Sequence, residues 1–192
     1  KNKISAYQSL LRKLDFNINL EEVNLPGKPF RMLVQHRNLN ELNFKIYKLT
    51  PTNVDLNPGV EQDQLITYFL KQKPIRQWKD QWQPSHDFNY HQIELKVDEL
   101  ESGAYAILAS VDSKLDKNSL VKFGYFQVSG IAAITLNGIG GGQQILVMDR
   151  EKGHPIKGAI VKTYEPTNKY NRSQPEFKIQ DQFLTDKDGK GM

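Results

Sequence analysis

GYFQVSG (residues 124–130) closes one run of alternating strands, and MDREKGHPIKGAIV (residues 148–161) lies inside the next. The second stretch places apolar, β-branched runs on either side of a polar turn with glycine and proline, which is typical of a β-hairpin. We therefore predict that residues 145–148 pair with residues 159–164 across Gly153-His154-Pro155. Together the two stretches predict tandem β-sandwich domains and no enzyme core.

An amphipathic helix is predicted near the start of the chain. Ile4, Tyr7, Leu11 and Leu14 recur at three- and four-residue spacing and therefore share one face. An isolated helix of this length is marginal in water. We expect residues 1–14 to form a helical segment that packs on the first β domain or on a neighbouring domain.

Alternation of apolar and polar residues then predicts a β-sandwich in residues 15–130. Strands of this number, separated by turns, are typical of an immunoglobulin-like or fibronectin-like sandwich. Each strand with one apolar face needs a second sheet to cover it, and the predicted helices are too few to do so. Residues 50–63, with two prolines and a glycine, are predicted to form a loop. The seven predicted strands are residues 16–25, 30–34, 42–47, 65–70, 90–97, 104–109 and 121–128.

A second β unit is predicted in residues 131–192. Residues 131–136 and 177–184 add strands to the predicted hairpin, and residues 137–142 form a glycine-rich loop. TDKDGKG (residues 185–191) is typical of the turn before another strand, yet the sequence stops there. The prediction is thus an all-β chain with a short N-terminal helix, one sandwich, and a second, truncated sandwich with unpaired edges.

The composition excludes several classes of protein. The net charge of +4 comes from 26 basic and 22 acidic residues that are interleaved along the chain, so we expect no nucleic-acid interface. The lack of cysteine rules out disulfides, thiolate metal sites and a cysteine nucleophile. No apolar run approaches the roughly 18 residues that cross a membrane. Because the sequence opens at Lys1 and stops after a turn, we interpret it as a piece of a longer polypeptide.

Three polar motifs suggest ligand sites, and a plain structural role is favoured for each. GIGGG (residues 138–142) follows a strand but lacks the Lys-Ser/Thr pair of a phosphate loop. DKDG (residues 186–189) begins like a calcium loop, without the preceding helix or the later ligands. His86, Asp87 and His91 are close in sequence, but residues 86 and 91 lie on opposite faces of an extended chain. We therefore predict no metal site and no cofactor.

Trp78, Trp82, Phe88 and Tyr90 form the main aromatic cluster of the sequence. The two tryptophans are four residues apart, so one helical turn would place both on one side. Exposed aromatic platforms stack sugar rings or anchor protein partners, which makes these four residues the candidate partner-binding surface. We favour the alternative that they form a lid packed over the edge of the sandwich.

Catalytic residues are not predicted. Ser129 and the other hydroxyl residues lie outside any G-x-S-x-G pattern, and no carboxylate pair has a defined spacing.

FQVSG (residues 126–130) resembles the junction between two macroglobulin-like domains of the alpha-2-macroglobulin family, of the bacterial type. LESGAYAILA (residues 100–109), HRNL (residues 36–39) and FKIYKL (residues 44–49) resemble the strands that precede this junction. Residues 149–163 resemble the hairpin of the following domain, with Lys152 in place of the usual threonine. The resemblance covers most of residues 15–192, and implies macroglobulin-like sandwiches in residues 15–130 and 131–192.

The resemblance also implies a function. These would be non-catalytic structural domains of a secreted or periplasmic protease-trapping inhibitor, with a membrane anchor in a segment upstream. The partners would be neighbouring domains of the same chain and, for the full-length protein, trapped proteases, with no membrane contact by this stretch itself. The alternative is a cell-surface β-sandwich module for glycan or protein binding, in nutrient uptake or adhesion, that uses the region of Trp78 and Trp82.

Overall fold

A computed structural model describes residues 2–49, 62–113, 119–137, 143–166 and 177–191. The described residues divide into two compact units, one ending at Val128 and the other beginning at Ser129. The predicted domain limits at residues 14 and 130 remain predictions, because compactness does not test independent folding. The elements are α1 Asn2–Leu11, β1 Asp15–Leu20, β2 Val23–Asn24, β3 Phe30–Arg37, β4 Glu41–Leu49, α2 Gln62–Leu70, β5 Arg76–Gln81, β6 His91–Val97, β7 Gly103–Ser110, β8 Val121–Val128, β9 Ile131–Asn137, β10 Gln143–Asp149, β11 Ile160–Pro166, β12 Phe177–Leu184 and β13 Lys190–Gly191.

The first unit is a sandwich of a three-stranded sheet, in the order β1-β3-β6, and a five-stranded sheet, in the order β2-β8-β7-β4-β5. The pairings are antiparallel except that β2 runs parallel to β8. Side chains that alternate along the strands meet between the sheets and confirm the predicted all-β sandwich. The buried core includes Phe16, Ile18, Met32, Val34, Leu42, Phe44, Ile46, Val97, Tyr105, Ile107, Phe126 and Val128.

The predicted strand at residues 65–70 is wrong, because these residues belong to helix α2. Ile66 and Phe69, three positions apart, share one helical face and are both buried. The Phe69 ring lies 4.9 Å from that of Tyr47 on β4 and 6.4 Å from that of Phe123 on β8. Helix α2 therefore covers the outer face of the five-stranded sheet. Residues 50–61 of the predicted loop lie outside the described residues.

Helix α1 forms near the predicted position, but its apolar side chains do not pack on the sandwich. Ile4, Tyr7 and Leu11 are 50–69% exposed. The connection to the sandwich is polar, since the Asn38 side-chain amide donates to the carbonyls of Leu11 and Lys13 at 2.7 and 3.0 Å. Neither α1 nor α2 is long and apolar enough to cross a membrane.

The predicted hairpin in the second unit is wrong, although its turn is present. Strand β10 pairs with β9 and β13, whereas β11 pairs with β12 in another sheet. The backbone amides of Asp149 and Gly153 donate to His154 and Asp149 at 2.8 Å, which closes the turn. Gly158 then adopts a φ of 73°, a left-handed value that favours glycine, and its amide donates to Thr185. The chain thus leaves the turn for a different sheet. Residues 138–142 of the predicted glycine-rich loop lie outside the described residues.

We expect Phe69→Ala to reduce the free energy of unfolding by about 3–5 kcal/mol, because a buried ring would leave a cavity between α2 and the sheet. Leu70→Ala is the matched control, since Leu70 is the next residue of the same helix and is 43% exposed. Its expected effect is below about 1 kcal/mol. Urea unfolding followed by circular dichroism measures both. Equal effects of the two variants would contradict the role given to α2.

Candidate partner-binding site at one end of the first sandwich

The two tryptophans of the predicted surface lie at the edge of the five-stranded sheet. The predicted helical turn is wrong, because Trp78 belongs to strand β5 and Trp82 directly follows this strand. Residues four apart share one face of a strand as well, so both indoles still point the same way. Trp78 pairs with Phe44 on β4, and their rings stack with centroids 5.0 Å apart. The backbone amide of Trp82 donates to Asn40 at 2.9 Å.

Both tryptophans are half-buried against the core of the sandwich. The indole nitrogen of Trp78 donates to the Asp80 carboxylate at 2.8 Å. The indole nitrogen of Trp82 donates to the Leu39 carbonyl at 2.9 Å. Because the polar ends of both side chains are engaged within the unit, a glycan platform made of these two residues is not favoured.

Phe88 and Tyr90 are the exposed members of the predicted surface, at 44% and 48%. The Tyr90 hydroxyl donates to the Asp15 carboxylate at 2.6 Å, and the guanidinium of Arg37 lies 4.9 Å from the centre of the Tyr90 ring. This hydrogen bond raises the pKa of Tyr90 and lowers the pKa of Asp15. A partner that contacts this end of the sandwich would therefore meet Phe88 and Tyr90 first. Binding by the four residues remains a prediction.

Asp87 organises the loop between β5 and β6. Its carboxylate contacts the Nε2 atom of His91 at 2.9 Å and accepts from the Asn89 backbone amide at 3.1 Å. These contacts, the His91 contact foremost, hold the pKa of Asp87 well below the usual range of an aspartate. His86 lies outside this pair and lines a neighbouring cleft. In the described ranges, no three histidine or acidic side chains are grouped so that they could hold a metal ion.

Asp186 and Ser129, which the sequence also singled out, form hydrogen bonds with nearby backbone groups. The Asp186 carboxylate accepts from the backbone amides of Asp188 and Lys190 at 2.8 and 2.9 Å, which forms a turn. The Ser129 hydroxyl exchanges hydrogen bonds with the backbone of Ile131. These contacts stabilise turns and assign no catalytic step. GIGGG (residues 138–142) lies outside the described residues.

A cleft of about 310 Å³ lies beside the aromatic cluster, and the sequence did not predict it. Its apolar wall includes Leu14, Leu39 and Phe88, and its polar wall includes Arg12 and His86. These residues come from three separate parts of the chain, so no repeating pattern in the sequence could show that they are neighbours. The cleft has the mixed lining of a shallow contact surface.

His36 was also missed as a residue of this region. It lies on β3, is 1% exposed, and its ring centroid is 4.8 Å from the Trp82 ring. The available signal was its position in the alternating pattern of Met32, Val34 and His36. Because His36 shares the buried face of β3 with Met32 and Val34, its ionisable ring points into the core.

Solved structures show the same architecture. The crystal structure of native alpha-2-macroglobulin from Escherichia coli spanning domains MG0-NIE-MG1 matches 93% of this chain with a TM-score of 0.60 and 13% sequence identity. The chain has the fold of alpha-2-macroglobulin domains. The chain covers 56% of that structure, so it spans little more than half of the segment solved there.

A second comparison involves the whole native conformation of Escherichia coli alpha-2-macroglobulin, from a single-particle cryo-EM reconstruction. The match covers 93% of this chain and 11% of the Escherichia coli chain, at 14% sequence identity and a TM-score of 0.45. No protein-family model matches the sequence, and no curated protein matches it. The TM-score of 0.60 with the crystal structure confirms the fold of alpha-2-macroglobulin domains that the sequence resemblance implied.

We expect Trp82→Ala to lower the free energy of unfolding by about 2–4 kcal/mol, because it removes a half-buried ring from the core and frees the Leu39 carbonyl. Phe88→Ala should change it by less than about 1 kcal/mol, since the Phe88 side chain is largely exposed. Guanidinium unfolding of both variants provides the measurement. A large loss for Phe88→Ala with none for Trp82→Ala would contradict the assigned packing.

Proposed function

We propose that this chain forms non-catalytic structural domains of a bacterial alpha-2-macroglobulin-type protein that traps proteases. The observation that carries the proposal is the shared fold with native alpha-2-macroglobulin over 93% of the chain. The junction motif at residues 126–130 supports it independently, because it was read from the sequence alone. Scaffold domains of this kind act by holding their neighbours in place, and need no reactive group of their own.

Exposed apolar side chains on the second unit support a role in contacting neighbouring domains. In the described part of this unit, Val147 is the one apolar side chain with less than a tenth of its surface exposed. Large apolar side chains are instead exposed on three of its strands, at 43–65%. Exposed apolar side chains that share one face of a strand, as Ile134 and Leu136 do on β9, are candidates for an interaction site. The exposed side chains are Ile131, Ile134 and Leu136 on β9, Ile160 and Tyr164 on β11, and Ile179 and Leu184 on β12.

We propose that neighbouring domains of the same polypeptide cover this surface. Interfaces between domains of one chain bury roughly 600–1,500 Å², which is large enough for strands from two sheets to contribute. A sheet edge such as β9 also carries unpaired backbone groups, which a neighbouring strand satisfies.

Ile134→Asp tests the covered surface, with Thr135→Asp as the matched control on the same strand. Both residues are exposed in the 192-residue chain, so neither variant should change its free energy of unfolding by more than about 1 kcal/mol. In the longer polypeptide, we expect Ile134→Asp alone to lower the melting temperature and to speed limited proteolysis near the second unit. If both variants behave alike in the longer protein, β9 is not covered.

Protease trapping is tested on the full-length protein. After incubation with a generic endopeptidase, we expect loss of cleavage of a large protein substrate, while a small chromogenic peptide is still hydrolysed. The physical reason is that a trapped protease keeps its active site but excludes substrates too large to pass the surrounding domains. Small-angle scattering should show compaction in the same samples. Equal cleavage of both substrates without compaction would leave the fold intact and overturn the trapping role.

The proposed location is secreted or periplasmic, with an anchor in a segment upstream of these residues. Cell fractionation with antibodies against the chain tests it, since cytoplasmic recovery would contradict the proposal.

A further inference from the structure

His36 is an ionisable side chain in the apolar core of the first sandwich. It is 1% exposed, and neither ring nitrogen has a hydrogen-bond partner among the described residues. Trp82 lies on one side of the ring, with centroids 4.8 Å apart. On the neighbouring strand β6, His91 is its direct partner in register, with ring centroids 5.9 Å apart. A neutral imidazole fits this place, because a buried charge without an acceptor is strongly disfavoured.

The charged groups around His36 give its imidazolium no support. His91 is the ionisable neighbour that faces it, and a second positive charge there would oppose protonation. The nearby Asp87 carboxylate is engaged by His91 and by Asn89. On the exposed side, Asp15 is engaged by Tyr90, and Arg37 lies over the Tyr90 ring.

Trp82, which lies against His36, opens a strap, defined as residues 82–90, between β5 and β6. Among the described residues, its hydrogen bonds to the rest of the sandwich are two from Trp82, to Leu39 and Asn40, one from Tyr90, and the Asp87–His91 contact. Phe88 in this strap has a φ of 59°, a left-handed value that is unusual for a bulky residue. Most strap side chains are exposed. Segments with few buried contacts and local strain open at lower cost than the core strands.

We propose that His36 and the strap form an acid-sensitive latch: proton uptake by His36 requires the Trp82 indole to move off its ring and opens the strap. Opening admits water to the ring nitrogens, which supplies acceptors beyond the Leu39 backbone, whose carbonyl accepts from the Trp82 indole in the closed state. The same movement frees the indole of Trp82 beside the already exposed Phe88 and Tyr90. Of the aromatic surface predicted from the sequence, the Trp82 indole is therefore covered near neutral pH and uncovered in acid.

The pH window follows from the direction of the shift. Burial lowers the pKa of His36 below its ordinary value of 6.5, His91 lowers it further, and the Leu39 backbone offsets part of this. A group with a lowered pKa in the closed state binds more protons in the open state. The closed state therefore keeps its full stability above about pH 6.5 and loses it as the pH falls towards the closed-state pKa. For one proton, the open fraction rises by up to about tenfold per pH unit in this range.

The experiment uses the 192-residue chain with Trp78→Phe, which leaves Trp82 as the sole tryptophan. Between pH 7.5 and 5, we expect a red shift of Trp82 emission while the far-ultraviolet circular dichroism stays constant. Hydrogen exchange should show protection in residues 82–90 falling by up to about tenfold per pH unit, after correction for intrinsic rates, with β4 and β7 unchanged. Coincident loss of emission and circular dichroism signals would mean global acid unfolding and would overturn the latch.

The matched variants separate His36 from the other histidines. His36→Phe keeps an aromatic ring without a titrating group and should abolish the emission change in this range. His86→Asn, within the strap, should keep it. A transition that survives His36→Phe overturns the proposal.

A second measurement needs no substitution at His36. In wild-type protein, the ring resonances of His36 should titrate in NMR with the same midpoint as the Trp82 indole resonance. Titration of His36 without any change at Trp82 would also overturn the proposal.

Discussion

The five-stranded sheet of the first unit has to be covered on both faces, and the rest of that unit follows from this constraint. Strand β7 shows it most directly, since its residues from Tyr105 to Ser110 are buried without alternation. The inner face packs against the three-stranded sheet, where Phe30 of β3 lies against Phe126 of β8 with ring centroids 5.3 Å apart. The outer face receives Phe69 from α2. A strand buried on both sides gains free energy from each layer, so losing either layer would expose apolar surface.

The alternation of apolar and polar residues predicted most strands of the first unit but not helix α2, for a physical reason. One-sided strands such as β1 and β3 must alternate, and this alternation is visible in their residues. The short apolar run in α2 has no such signature, because a buried strand and a short helix look alike over six residues. The three-residue spacing of Ile66 and Phe69 was the available sign of a helix. This spacing indicates a helix only if one knows that a sheet face is free to receive it, and that depends on tertiary structure.

The wrong hairpin in the second unit has a similar origin. The turn at Gly153 was predicted from local chemistry and is present, but pairing depends on where the chain goes afterwards. Gly158 redirects the backbone, and the buried Thr185 hydroxyl accepts from the Ala159 amide at 2.9 Å and donates to the Ile156 carbonyl at 2.6 Å. This side-chain anchor lies 26 residues further along the sequence. No local pattern contains such a contact, so adjacent runs were paired by proximity alone.

The candidate site was only partly predictable, because its residue types are visible in the sequence whereas their burial depends on tertiary structure. Aromatic side chains are visible in the sequence, and so Trp82 and Tyr90 were found there. Their division into buried and exposed members depends on which edge the strap crosses, and that was not visible. His36 combines both kinds of information: its phase within β3 was readable, but its lack of hydrogen-bond partners was not. An apolar residue at this position would carry no desolvation cost, and no hydrogen bond meeting the usual geometry engages the ring nitrogens in the described core. A core that holds a histidine on these terms loses some stability in acid, because the buried ring has a lowered pKa.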